Sequence, residues 1–387
     1  MKILYILGSY YPAQSGGPNN TIHWQAKYLT KNNHDITVAS FKSGLTEENI
    51  KDWNIVFNTQ NNIEGVKAHY FNFYMSRYFS IEFYAWIIGN IRNYEFVQLT
   101  SYFFPITWIS VILCNIYNIP FSLAPRGELE DNALKYGAIV KKIAHNFLLK
   151  FIYKKAKFIL VTSRQELEFS KKYFNKQMEY ELIPNYIDLS SKKSLDYKDI
   201  LDKKNILYLG RIHPKKGIEN LITAYISLNK NFKEQHSLLI AGDGDVQYMN
   251  KLKELVLEYG YVRKIKFLGH QQGADKEFLY KKNKVFVLPS YSENFGNVVL
   301  ESLSFSTPVI ASKYTPWKEL ESYKCGFWIE NTPNEIKIYL EKILSMNELE
   351  YVKYANNAYK FVNDEYNIDQ NITKIENIYY KYAKSKN

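Results

Sequence analysis

Glu293 and Glu301 stand eight positions apart in a stretch from Val285 to Ala311 that reads strand, polar loop, helix, strand. Val285 to Leu288 is a short apolar run stopped by Pro289, and Val309 to Ala311 is a second one after Pro308. Between them, the backbone N–H groups of Asn294, Phe295, Gly296, Asn297 and Val298 are the open donors of a helix start. Gly296 removes the side chain that would keep a ligand away, so the turn suits hydroxyl or phosphate oxygens. A carboxylate such as Glu301, inside the helix, accepts two hydrogen bonds and suits a vicinal diol such as a ribose. An isolated pair of acids beside a helix start is more often solvated surface, favoured there by the helix dipole. The neighbouring sequence decides between these readings.

A second stretch, Asn205 to Glu219, also reads strand, loop, helix. Its strand ends at Gly210, and Arg211 and Lys216 follow before Gly217 opens a helix. Two cations at the carboxyl edge of a parallel strand suit a diphosphate, although Lys215 and Lys216 alone would read as surface charge. Earlier in the chain, Arg126 lies in Ala124-Pro-Arg-Gly-Glu-Leu-Glu130, just past an expected strand from Pro120 to Leu123. It could hold a carboxylate or phosphate, or simply pair with Glu128 or Glu130. The Gly/Pro loop Ser9 to Asn20, with Gly16 and Gly17, follows a first buried strand but matches neither a G-x-G-x-x-G nor a Walker spacing. Gly242-Asp-Gly-Asp245 closes a strand from Ser237 to Ala241 and spells a D-x-D, the pattern of a carboxylate-bound divalent ion. Its place at a strand end reads instead as a turn.

Ser292-Glu293-Asn294-Phe295-Gly296 with Glu301, then Thr307-Pro-Val-Ile-Ala311, resembles the E-x7-E signature of retaining GT-B glycosyltransferases, particularly family four. Gly210-Arg211 with Lys216-Gly217 matches that family's Gly-Arg-x-x-x-x-Lys-Gly pattern independently. The resemblance implies that Arg211 and Lys216 neutralise the leaving nucleoside diphosphate. It places Glu293 beside the donor sugar and Glu301 on the ribose, with the amides of 294–298 on sugar and phosphate oxygens. It implies further that Gly16 and Gly17 reach the donor, that Gly242 lies in the donor site, and that the base rests near His270 after the strand Lys264 to Leu268. Relatives carry a His near Arg126; Pro125-Arg126-Gly127 stands here, as in some polysaccharide-assembly members, so no His base carries over. The implied reaction is retaining and needs no metal or other cofactor.

The elements around these motifs alternate strand and helix in both halves, which predicts two Rossmann-like, parallel-sheet domains facing a cleft. The expected division is 1–190, a lysine-rich linker 191–204, a second domain 205–365, and a last helix 366–387 that the resemblance sends back to the first domain. Beyond Glu319 the sequence reads as helical throughout. His34 reads as structural. Two cysteines, Cys114 and Cys325, exclude a disulfide framework and fit a reducing compartment. The longest apolar stretch, Phe103 to Cys114, is too short to span a bilayer.

The net charge is +11, and most of it falls between Lys135 and Lys176, where eleven Lys or Arg face two Glu. Basic residues there alternate with Ile143, Phe147, Leu148, Phe151 and Ile152, the composition of a basic amphipathic helix. The expected partners are a nucleotide-sugar donor, a saccharide acceptor on a lipid carrier, and an anionic membrane surface, with the protein cytoplasmic and peripheral. A soluble-acceptor enzyme of the sucrose or trehalose synthase type and a silent nucleotide-sugar binder remain open. No RNA- or DNA-binding motif accompanies the charge.

Overall fold

A computed structural model describes residues 1–13, 17–73, 79–130, 141, 145, 149, 152–174 and 177–383. The chain divides into unit 1, Met1–Asp188 with Ile368–Asn387, and unit 2, Leu189–Asn367.

Unit 1 contains β1 (Lys2–Ile6), α1 (Gly17–Lys31), β2 (Asp35–Phe41), α2 (Glu47–Asp52), β3 (Gln60–Ile63) and β4 (Val66–Phe71). There follow α3 (Ile81–Asn90), β5 (Phe96–Thr100), α4 (Pro105–Tyr117), β6 (Phe121–Ala124), β7 (Phe158–Val161), α5 (Arg164–Lys171) and β8 (Tyr180–Leu182). Its eight-stranded sheet runs β3-β4-β2-β1-β5-β6-β7-β8 and is parallel except where β3 returns antiparallel on β4. Strands such as β6 and β7 are buried along their whole length, which is why they read as continuous apolar runs rather than alternating ones.

Unit 2 contains α6 (Tyr197–Leu201), β9 (Asn205–Leu209), a 3₁₀ turn (Pro214–Lys216), α7 (Ile218–Ile226), α8 (Lys230–Gln235), β10 (Leu238–Ala241), α9 (Val246–Glu258) and β11 (Ile265–Gly269). It continues with α10 (Gly273–Lys282), β12 (Asn283–Leu288), α11 (Asn297–Ser304), β13 (Val309–Ser312), α12 (Glu319–Ser322), β14 (Gly326–Ile329), α13 (Pro333–Leu344) and α14 (Glu348–Tyr366). The six strands are all parallel, in the order β11-β10-β9-β12-β13-β14. Counted within the unit this is 3-2-1-4-5-6, the doubly wound order, and the direction of winding reverses between β9 and β12. Both motif stretches leave the sheet at that reversal.

The last helix, α15 (Ile368–Tyr382), belongs to unit 1. Tyr379 meets the hydroxyl of Tyr5 at 2.9 Å, and Lys381 pairs with Glu179 and Glu181 at 3.1 and 3.0 Å. His34 serves the same docking, 3.1 Å from Glu376.

Two expectations change. Residues 191–204 are no free linker: Ile200 is buried in the unit 2 core, and Asp196 caps α6. The buried Lys203 ammonium donates to the carbonyls of Tyr280 and Phe305, both at 3.0 Å, and to Thr307 Oγ1 at 2.6 Å. Lysine-rich composition hides such a residue because one buried ammonium looks like its solvated neighbours. Beyond Glu319 the chain also forms β14, a four-residue run too short to show a period. Much of the basic stretch, including Lys135, Lys142, Lys150, Lys176, Ile143, Phe147, Leu148 and Phe151, lies outside the described residues, so the basic-helix expectation is neither met nor overturned there.

His69 on β4 offers a test of unit 1. Its ring stacks on Phe71 at 5.9 Å and meets Trp86 at 4.7 Å, and burial pushes the imidazole down to about 4. The unfolded chain takes up this proton near pH 6.5, whereas the folded one resists it. Stability from this group is therefore present above pH 6.5 and falls as the pH drops toward 4. Urea melts of wild type against His69→Phe should differ in slope over that window, by on the order of 2 kcal/mol. Parallel slopes would contradict it.

Candidate functional site

The loop after β9 and the loop after β12 meet at the winding reversal of unit 2. Gly217, with φ +60°, allows the meeting: a Cβ there would lie 2.3 Å from the Pro289 carbonyl at the end of β12. That carbonyl accepts from Asn331 Nδ2 at 2.6 Å, and the Tyr291 N–H donates to the Lys215 carbonyl at 2.8 Å. The two loops are thus fixed by backbone before any side chain is placed.

Lys216 Nζ pairs with Glu293 Oε1, which also accepts from Ser290 Oγ at 2.8 Å. Both partners of the pair are largely shielded, at 14% and 12% side-chain exposure, so water screens them weakly. Arg211 is exposed at the end of β9, its carbonyl accepting from the Tyr208 hydroxyl at 2.9 Å. Among the described residues its guanidinium has no ion-pair or hydrogen-bond partner. His213 reports the local field: burial first, then Arg211 and Lys215, push its imidazole down from the ordinary value.

Helix α11 starts at Gly296 in a left-handed conformation, φ +82°, and no side chain caps it. Within this first turn the Val299 N–H donates to the Gly296 carbonyl at 2.9 Å. The turn is braced from behind by Trp317, whose buried indole N–H donates to the Phe295 carbonyl at 2.6 Å while its ring packs edge-on against Phe295 at 5.1 Å. Sequence reading missed Trp317, since no local pattern ties residue 317 to 295. Trp317→Phe keeps a ring and removes the donor. Any activity that uses this turn should fall roughly tenfold in kcat/KM with the fold retained; an unchanged kcat/KM would remove Trp317 from the account.

Glu301 lies one helical stretch further along α11. Its carboxylate is held by Lys276 Nζ at 2.8 Å and by the Tyr280 hydroxyl at 2.9 Å, both from α10. Sequence reading missed these two as well, although their i, i+4 spacing puts them on one helix face. A carboxylate with two such donors keeps lone pairs for a diol.

Gly242 and Asp245 have structural work. Gly242, φ +134°, lets two loops cross: a Cβ would come within 1.9 Å of the Gly210 carbonyl. Asp245 caps α9, accepting from the Tyr248 N–H at 2.7 Å. His270 is exposed just past β11, on the same carboxyl edge but at the far strand of the sheet.

In unit 1, Gly17 begins α1, and Gly16 lies outside the described residues. Arg126 follows β6 with φ +53°. Its Nη1 donates to Asn185 Oδ1 at 2.8 Å. Glu128 is taken elsewhere, by Ser101 Oγ at 2.7 Å and the N–H groups of Tyr102 and Phe103 at 2.6 and 3.2 Å. The pairing of Arg126 with Glu128 that proximity suggested is therefore absent, because Glu128 closes the turn before α4.

Two family models match the chain: Glycosyltransferase Family 4 over residues 15–191 and Glycosyl transferases group 1 over residues 192–361. An uncharacterized glycosyltransferase of Methanocaldococcus jannaschii is 34% identical over 196 residues, 49% of this chain and 48% of the relative. The O-antigen chain mannosyltransferase B of Escherichia coli is 32% identical over 118 residues, 30% of each chain. A Campylobacter jejuni enzyme, N-acetylgalactosamine-N,N'-diacetylbacillosaminyl-diphospho-undecaprenol 4-alpha-N-acetylgalactosaminyltransferase, is 31% identical over 44% of this chain and 46% of its own. The matched segments thus span about half the length of these relatives or less. Two solved structures share the fold over 98% of this chain, each with a TM-score of 0.76. They are sucrose-phosphate synthase from Thermosynechococcus elongatus, 20% identical over 98% of that chain, and Anabaena HepE with UDP and glucose, 17% identical over 100% of it.

Proposed function

Because the chain belongs to the group 1, family 4 glycosyltransferases of GT-B fold, matched without a gap from residue 15 to 361, we propose that it moves a sugar from a nucleoside-diphosphate sugar to a saccharide on a lipid carrier, with retention of configuration. The observation that carries this reading is the convergence of Arg211, Lys216, Glu293 and the uncapped first turn of α11 at one strand reversal. The diphosphate takes the Arg211 guanidinium and the backbone of the turn that opens α11. Lys216, now on Glu293, turns toward the β-phosphate as charge develops on it. Glu293, released to the sugar face and still held by Ser290, positions the donor for same-face attack, with the departing phosphate as base. Glu301 accepts from the ribose hydroxyls.

The reaction as proposed uses no divalent ion. Arg211 and Lys216 supply the positive charge that a metal would supply, and Asp245 of the D-x-D is committed to its helix. The lipid-linked acceptor, within cell-surface polysaccharide synthesis, is supported by the printed activities of the Escherichia coli and Campylobacter jejuni relatives. Arg126 is the proposed contact for an acceptor phosphate, at the carboxyl edge of the unit 1 sheet. Among the described residues no helix is long and apolar enough to cross a membrane; the proposed location is the cytoplasmic membrane face.

The test is nucleotide release from UDP-, GDP-, ADP- and CMP-sugars in EDTA, with an alkyl-tailed or a free saccharide as acceptor. One donor should turn over with the tailed acceptor, giving a product with the donor's anomeric configuration. An inverted product, or turnover only with added divalent ion, would sink the mechanism; preference for the free saccharide would move the assignment to a soluble acceptor.

A further inference from the structure

Helices α3 and α4 of unit 1 differ from α9 of unit 2 in what they turn outward. Helix α9, for comparison, buries Leu252 and Val256 and turns Lys251, Lys253 and Glu254 to solvent. Helix α4 contains no charged residue at all, and α3 contains only Glu82. Their inner faces are filled in the ordinary way, by Phe83 and Ile87 and by Ile106, Val111 and Cys114. Their outer faces are apolar too. Ile81, Ala85 and Ile88 follow one another up α3, with Ile81 62% and Ile88 53% exposed. On α4 the outward row is Ile112 and Ile116, the latter 62% exposed, flanked by half-buried Ile109 and Leu113. The two helices pack side by side, so these rows form one surface. A helix apolar all round is ordinarily one that something covers.

The border of this surface is cationic. At the C-terminal end of α4 the Arg92 guanidinium lies 3.8 Å over the Tyr117 ring, and before its N-terminus Lys141 sits 5.2 Å from the Phe103 ring. Asn115 on α4 donates to the Ile152 carbonyl at 2.9 Å, which brings the exposed Lys154 and Lys155 beside the same helix. Apolar side chains ringed by aromatic rings and cations match the interface of an anionic bilayer, where chains bury the former and headgroups pair with the latter. A second copy of the chain would set these cations against themselves.

We propose that the α3–α4 face inserts into an anionic lipid surface, with Ile81, Ile88, Ile112 and Ile116 entering the acyl boundary and Arg92, Lys154 and Lys155 at the headgroups. The inference deepens the lipid-linked reading above and rests on it. It differs from a purely electrostatic contact, because insertion survives salt and charge attraction does not.

The experiment is co-sedimentation of the intact protein with phosphatidylglycerol-containing vesicles and with phosphatidylcholine vesicles, at low and high salt. Wild type should favour the anionic vesicles. The double variant Ile112→Glu with Ile116→Glu should partition at least about tenfold more weakly at both salt levels. Lys154→Glu with Lys155→Glu should weaken binding chiefly at low salt. Undiminished binding by the isoleucine variant would overturn the proposal. So would a vesicle-free wild-type dimer that this variant splits, which would assign the face to a second copy. Circular dichroism checks the fold, and nucleotide release with a soluble saccharide reads the transfer site separately, so a failure of the reading above shows there while a failure of insertion shows only in the vesicles.

Discussion

Lys216→Ala should lower kcat/KM for sugar transfer by about 10²–10³-fold, with the protein still folded. The ammonium is the only cation paired with Glu293 among the described residues, and that carboxylate then keeps Ser290 alone. Two effects act together. The leaving diphosphate loses a cation that acts mainly in the transition state, and Glu293 loses the partner that fixes its rotamer. Because both residues serve one event, Lys216→Ala combined with Glu293→Gln should cost much less than the two separate losses multiplied. Steady-state kinetics of the four proteins close the cycle. Multiplicative losses would mean that the pair acts as two independent contacts.

Gly242→Ala should destabilise unit 2 by at least about 3 kcal/mol, or prevent folding outright. The backbone there has φ +134°, which an L side chain rarely adopts, and the added carbon would lie 1.9 Å from the Gly210 carbonyl. No side-chain rotation relieves a contact with backbone, so β9 and β10 must part at the edge that carries Arg211. Urea unfolding reads this directly. A loss below about 1 kcal/mol would show that the crossing yields, and that Gly242 stands there for ligand contact rather than for chain passage.

The strand, loop and helix of each motif are legible in the sequence because their information is local. Val285 to Leu288, stopped by Pro289, and Asn205 to Leu209, ended at Gly210, carry their boundaries within a few residues. The helices after Glu335 were equally plain, since α13 and α14 show long amphipathic periods. What sequence could not show is which distant groups complete the site. Glu301 meets Lys276 and Tyr280, Phe295 meets Trp317, and Arg126 meets Asn185 rather than nearby Glu128. Each pairing depends on how neighbouring elements pack, and a carboxylate two residues away is a poor guide when backbone amides compete for it. The same limit applies to Lys203, whose polar neighbours in sequence hide the three buried oxygens that surround its ammonium.

The central claim, a diphosphate seat where the β9 and β12 loops meet, is tested most directly by calorimetric titration of UDP and GDP, in EDTA, into wild type and Arg211→Ala. The Arg211 guanidinium has no partner of its own among the described residues, so an anion is what it should recruit. One of the two nucleotides should bind wild type at a single site per chain, and bind Arg211→Ala at least about tenfold more weakly. Equal affinity in the two proteins, or no binding by folded wild type, would contradict the account.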